Sequence, residues 1–340
     1  MLIRVGLRMH LDGKSGRKQL FLNTLLASII AVFGAAAAHA QSEYPSRPIR
    51  IIVPFPPGSG TDIVGRAIGQ ALGEAWKVSV IIDNRPGAGG TIGSDMVAKA
   101  APDGHTLLLG NTSTLALAPT LYSKLPYSPV SDFAPITLIT TSHNTLVLHP
   151  SVPARSVREL IALAKAKPKF ISYGSAGNGT TSHLGGALFA SMAGVEMVHV
   201  PYKGSAPSLT DLISGQLSLS FAAIATVITH IKSGRLRALG VTSLKRSPHA
   251  PDLPAVSETL PGFEVLVWQG IAAPAATPQP VVMKLNAEIL RTLRTPEMHQ
   301  RLGAQGLDAA GGTPEVFGAF IKSETVKWGK VLRAVGARVD

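Results

Sequence analysis

Three times along this 340-residue chain a short apolar run stops at a glycine-rich turn and gives way to apolar residues at helical spacing. Ile49 to Pro54 is followed by Phe55-Pro56-Pro57-Gly58-Ser59-Gly60, then by Ile63, Ala67, Ile68, Ala71 and Leu72. Val78 to Ile82 ends in Asp83-Asn84-Arg85-Pro86-Gly87-Ala88-Gly89-Gly90 and continues through Met96, Val97 and Ala100. Ile171 to Tyr173 leads into Gly174 and the stretch to Ser182, with Leu184 and Leu188 beyond it. Unbroken apolar strands alternating with helices predict parallel strands covered on both faces, an α/β chain. Leu107 to Leu109, Leu217 to Phe221 and Leu236 to Val241 read as further strands, with a helix ending near Gly234 between the last two.

Helix starts are legible too. Ser156-Val157-Arg158-Glu159 is a capping box: serine is expected to accept from the N–H three residues on, and glutamate to reach back to the serine N–H. The helix it opens is expected to run to Pro168. Thr277-Pro278, Thr295-Pro296 and Thr313-Pro314 each suit a capping threonine followed by proline at the first helical position.

The N-terminal stretch predicts export. Arg4, Arg8, Lys14, Arg17 and Lys18 stand against one acid, Asp12, before an apolar run from Leu20 to Ala38 and then Ala38-His39-Ala40. This is the order of a secretory signal, residues 1–40, with translation beginning at Met1 or Met9 and cleavage after Ala40. Asn23, Thr24 and Ser28 interrupt the run, which argues against a membrane anchor. Removing it lowers the formal charge from +12 to +8, because five basic and one acidic side chain leave. The length left suggests two domains, expected to be joined by crossing strands. No later segment is long and apolar enough to span a membrane, so a soluble product is expected.

Composition removes several kinds of chemistry. With no cysteine there is no disulfide, thiolate metal site or cysteine nucleophile. Basic residues are dispersed and aromatic residues make up 5%, so neither a phosphate-tracking patch nor a stacking platform for nucleic acid is present. A diffuse positive field suits small anions. Gly58-Ser59-Gly60 followed by Asp83 imitates a dinucleotide-binding layout, but Ile63 occupies the third glycine position. There is no G-x-S-x-G or H-E-x-x-H, and the later histidines lack ligand spacing, so no catalytic residue, metal or cofactor is expected. The glycine loops are the remaining candidates. A helix N-terminus leaves N–H groups unpaired, and a loop without bulky side chains lets a carboxylate reach them. The competing reading is an ordinary turn in which glycine only permits a positive φ.

Tyr44 to Phe55, Gly60-Thr61-Asp62, NRPGAGG at 84–90, APDGHTLLLG at 101–110, DFAPITLI at 132–139, SAGNGTTSHL at 175–184 and VPYKGSAPSLTDLISGQ at 200–216 together resemble the Bug-type solute receptors of tripartite tricarboxylate transporters. IKSGRLRALGVTS and a C-terminal GGTPE extend the resemblance over residues 44–336. It implies a two-lobed periplasmic binding protein fold, type II-like, each lobe a mainly parallel sheet flanked by helices, with the ligand cleft between them. Residues 41–143 plus 267–340 would form one lobe and 144–266 the other. It implies a monomeric, non-enzymatic receptor that captures a small organic carboxylate for membrane carrier subunits. A receptor signalling to a membrane sensor and a secreted hydrolase are the alternatives.

Carried over by residue, the ligand contacts implied are Phe55, Pro57, Gly58, Ser59, Gly60, Thr61 and Asp62 on one loop. Facing them are Ser175, Ala176, Gly177, Asn178, Thr180, Thr181 and His183, with Thr112, Ser113, Tyr202, Lys203 and Ala222 as further lining. Two departures from the family pattern stand out. Ser59 breaks a Pro-Gly-Gly-Gly turn and adds a hydroxyl. Ala222-Ala223 follows Phe221 where many members carry an aspartate, so a partner for a ligand ammonium is missing and an acid without an amino group is expected. Asp62 is expected to cap its own helix, and Lys203 either to stand in solvent or to meet a distal carboxylate.

Overall fold

β1 (Ile49–Val53) buries Ile49, Ile51 and Val53 on one face and Ile52 on the other, as a strand covered on two sides requires, while Arg50 near its start pairs with Asp83. The computed structural model describes residues 44–248, 250–334, 336 and 338; the secretory signal expected over 1–40 lies outside them. All the elements below belong to one unit of contacts, Arg47–Asp340. β1 runs parallel to β2 (Val80–Asn84) on one side and β3 (Thr106–Asn111) on the other. The crossovers are α1 (Gly60–Trp76) and α2 (Thr91–Ala98).

A second parallel group follows further along the chain. α3 (Val157–Ala166) precedes β5 (Ser172–Ser175), which lies between β6 (Val198–Pro201) and β7 (Leu219–Ala223). α4 (Thr181–Ala193) and α5 (Ser205–Ile213) make these crossovers, and α6 (Ile224–Lys232) leaves β7 toward β8 (Arg237–Val241). α4 sits close on the sheet because Gly185 and Gly186 face it. A Cβ at Gly185 would lie 2.6 Å from the Phe221 ring, and one at Gly186 would lie 2.2 Å from the Tyr173 ring.

Antiparallel pairing enters with two crossing strands. β4 (Phe133–Leu148) pairs with β9 (Leu266–Pro274) as far as His143, and from Asn144 onward with β7 and β8. β9 in turn pairs with β3, and β10 (Asp308–Ala309) pairs with β4. The full order is β2-β1-β3-β9-β4-β7-β5-β6, with β8 and β10 also on β4. The expected parallel sheets are therefore β2-β1-β3 and β6-β5-β7, linked by strands of opposite direction.

The C-terminal part adds α7 (Gln279–Leu293), α8 (Pro296–Gly303) and α9 (Pro314–Ala334). In α9, Glu324 is buried and accepts from the indole N–H of Trp268 at 3.2 Å and of Trp328 at 3.0 Å. Thr295 caps α8 by accepting from Met298 N–H at 3.3 Å, and Thr313 accepts from Val316 N–H at 3.3 Å. Thr277 does not cap. α7 begins at Gln279 with Pro278 at the cap position, which leaves the buried Thr277 hydroxyl one residue too early and, among the described residues, without a partner. The capping box is also shifted: Ser156 accepts from Glu159 N–H at 3.1 Å, but Glu159 accepts from Arg155 N–H rather than from Ser156. The long glutamate reaches one residue further back. α3 ends at Ala166, since a residue before Pro168 is biased away from helix.

Candidate functional site

The third glycine loop is held by its own small side chains. Thr180 Oγ1 donates to Gly177 O at 2.7 Å and accepts from His183 N–H at 3.4 Å, which caps α4. Gly177 and Gly179 take φ of +131° and +74°, values that a side chain would make costly. Ala176 N–H donates to Ser182 Oγ at 3.0 Å. Tyr202 N–H and Gly204 N–H donate to Ser175 O and Ala176 O, both at 3.1 Å, and so tie the next loop to this one.

Beside these loops lies a cavity of about 350 Å³. Ala176, Thr180, Thr181 and Ser182 line it from the loop and the start of α4; Ser205, Ala206, Ser208 and Leu209 from α5; Ser220, Phe221, Ala222, Ala223 and Thr226 from β7 and α6. Ser142 and Asn144 reach it from β4, and Val267 from β9. Three helices thus begin at one cavity. α4 is capped by Thr180, while α5 and α6 start from Gly204 and Ala223 with no side-chain cap. Eight lining residues carry hydroxyls, and none of the described lining residues is ionisable. Partial positive charge at the helix starts, N–H donors and hydroxyls suit an anion. A cationic guest meets no carboxylate there.

The remaining expected contacts lie elsewhere. Phe55 and Pro57–Asp62 are not among the residues lining this cavity. Their loop is closed by Asp62, which is buried at 3% exposure. Its carboxylate accepts from Gly58 N–H at 2.9 Å, Arg66 Nε at 2.9 Å and Asn84 Nδ2 at 3.0 Å, while Ser59 Oγ accepts from Asp62 N–H at 3.2 Å. Burial works to raise the Asp62 pKa, but hydrogen bonds from Arg66, Gly58 and Asn84, with the charge of Arg66, outweigh it and hold the group below its ordinary value. Asn111 Nδ2 is 3.5 Å from the Thr61 hydroxyl. Phe55 leans on the second glycine loop, where a Cβ at Gly90 would lie 3.2 Å from its ring. Thr112 is buried and accepts from Trp268 N–H at 3.0 Å, and Ser113 opens a wide, π-helical turn through Leu117.

Ser175 is fully buried, with Oγ 2.7 Å from His199 Nε2. Asn178 and His183 face a separate cavity, with Tyr173 and His199. Tyr202 donates its hydroxyl to Asp211 at 2.6 Å, and that bond pushes its pKa up to about 12. Lys203 is exposed and outside the cavity lining. Of the residues expected from sequence, the cavity brings together Ala176, Thr180, Thr181 and Ala222. Sequence reasoning missed Ser142, Asn144 and Val267, which only the strand crossing delivers; Ser205, Ala206, Ser208 and Leu209, signalled by a fourth glycine, Gly204, before a helix; and Ser182, Ser220, Phe221, Ala223 and Thr226, which lie within a few residues of those it named. Among the described residues, no group of three histidines, cysteines or acids could hold a metal ion, and no helix is long and apolar enough to cross a membrane.

Residues 64–337 match the model of the tripartite tricarboxylate transporter family receptor. BugT of Bordetella pertussis is 35% identical over 93% of this chain and 99% of its own. An R. palustris protein solved with adipate superposes with a TM-score of 0.77 at 35% identity, over 87% of this chain and 100% of its own. MatC of Rhodopseudomonas palustris with bound malate gives a TM-score of 0.73 at 32% identity, over 85% of this chain and 100% of its own.

Proposed function

This chain belongs to the tripartite tricarboxylate transporter receptor family, of the Bug type and with its two-lobed periplasmic binding protein fold, and we propose that it captures a small organic carboxylate in the periplasm for delivery to a membrane carrier. The observation that carries the proposal is the neutral cavity at which three helices begin. Each hydrogen bond to a charged group contributes about 1.5–3 kcal/mol, and a helix terminus adds about 0.3–1 kcal/mol. A few such contacts hold a carboxylate without arginine or lysine. Adipate and malate in related proteins agree in chemical class.

The cavity also favours acids without an amino group. Ala222 and Ala223 line it without offering an acid to an ammonium, and the other described lining residues are neutral. We assign residues 41–143 with 267–340 to one lobe and 144–266 to the other, closing by hinge motion. The change of strand partners between His143 and Asn144 on β4, with Leu266 opposite His143 on β9, supports these limits. The basic and then apolar order of residues 1–40 supports export.

Ser175 and His199 are within hydrogen-bond reach but suit structure better than hydrolysis. Ser175 is fully buried, and burial together with His183 lowers the His199 pKa to about 4, far from that of a base working near neutrality. The test is a thermal-shift panel of mono-, di- and tricarboxylates and amino acids on the purified protein. Plain carboxylates are expected to raise Tm with concentration. Stabilisation by amino acids alone would reject the assigned ligand class, and a panel without any shift would reject the carboxylate site.

A further inference from the structure

One loop separates two cavities. Residues 175–183 present Ala176, Thr180 and Thr181 to the neutral cavity, and Asn178 and His183 to a second one of about 460 Å³. There His183 and His199 stack with ring centres 4.1 Å apart and planes 19° apart, and Tyr173 stacks on His199 at 4.8 Å. Each imidazole holds one end of the loop. Gly179 N–H donates to His183 Nδ1 at 3.2 Å. His199 Nε2 shares a hydrogen with Ser175 Oγ at 2.7 Å, and that oxygen also accepts from Gly177 N–H at 3.2 Å.

We propose that His183, braced by His199, is a positioning residue for the ligand: its neutral ring holds the loop in the shape that binds a carboxylate, and its protonation lets the loop go. This rests on reading the neutral cavity as the ligand site. Nδ1 accepts only while it carries no proton, so protonation there sets two N–H groups against each other. A charge on one ring also faces the other ring at 4.1 Å. Burial lowers both pKa values, that of His199 to about 4 with His183 as the second cause, so both rings are neutral near pH 7. The charged and titratable groups around them are Tyr173 on β5, Lys169 and Glu196 paired with each other at 3.6 Å, and Arg338. Among the described residues no carboxylate is paired with either ring, and the Glu196 charge is shared with Lys169.

Titration calorimetry on the intact protein with adipate and with malate, from pH 7.5 to 4, tests the proposal. His183→Ala removes the acceptor, whereas His183→Asn keeps an acceptor that does not titrate. At pH 7.5 the alanine variant is expected to bind about tenfold more weakly and the asparagine variant within about threefold of wild type. Toward pH 4 wild type should lose a further factor of about ten relative to His183→Asn, a ratio that cancels the titration of the acid itself. If the alanine variant fails to fold, this ratio still decides. Equal affinities of wild type and His183→Ala at pH 7.5, or a flat ratio down to pH 4, would overturn the positioning role and leave the ligand site standing. A wild type that binds neither acid, nor any carboxylate of the wider panel, would overturn the ligand site and this role with it.

Discussion

The loops Phe55–Asp62 and Ser175–His183 look alike as sequence, glycine turns at the mouth of a helix, but they differ in what meets the helix start. In the first, the Asp62 carboxylate takes the Gly58 N–H and the side chains of Arg66 and Asn84, so the negative charge that the dipole favours is already supplied by the chain. In the second, Thr180 caps with a neutral hydroxyl, and α4 opens beside a cavity that α5 and α6 also reach without side-chain caps. An internal acid supplies negative charge beside the first helix start, whereas the neutral cap supplies none beside the second.

Glycine packing beneath the second loop's helix carries the largest expected effect. Gly186→Ala puts a Cβ 2.2 Å from the Tyr173 ring and should cost about 3 kcal/mol in denaturant unfolding, whereas Gly60→Ala meets nothing within 4 Å and should change stability by less than about 0.5 kcal/mol. Next comes Asp62→Asn, expected to cost about 2 kcal/mol with carboxylate affinity unchanged. Because the folded Asp62 pKa is lowered, its contribution is full above the ordinary carboxylate pKa and fades as pH falls through the lowered value. A strong loss of affinity in calorimetry would instead make the first loop a ligand contact.

A matched pair sharpens the contrast further. Ser59→Ala and Thr180→Ala each remove a cap and should each cost about 1 kcal/mol, but only Thr180→Ala should weaken carboxylate binding, by about fivefold. The pH dependence around the second loop is smaller. His199 has a folded pKa of about 4, below its unfolded value of about 6.5, so stability is full above about pH 6.5 and declines as pH drops toward 4. His199→Asn should flatten that decline in thermal melts. Smallest of all, Lys203→Ala should change affinity by less than about twofold, since the residue is exposed and outside the cavity lining.

Local chemistry was legible in the residues, and long-range geometry was not. The buried strands β1 and β3, helix starts at Gly60 and Thr181, and the caps Thr295 and Thr313 follow from patterns within a few residues. The apolar run Val78 to Ile82, read as a covered strand, instead leads into the edge strand β2, in which no residue is buried. Thr277 misled because a one-residue offset of the helix start moves the hydroxyl out of reach. Ser142, Asn144 and Val267 meet the cavity only because β4 changes partners there and β9 runs beside it, contacts that no local pattern encodes. The roles of Asp62 and His183 depend on partners from other elements: Asn84 reaches the first from β2, and His199 braces the second from β6.

A crystal structure of the protein with bound adipate or malate would show directly which groups hold the carboxylate. Carboxylate oxygens are expected about 2.9 Å from backbone N–H groups or hydroxyls at the starts of α4, α5 and α6, with no arginine or lysine in contact. A carboxylate clamped by a cationic side chain, or seated on the Phe55–Asp62 loop away from that cavity, would contradict that expectation.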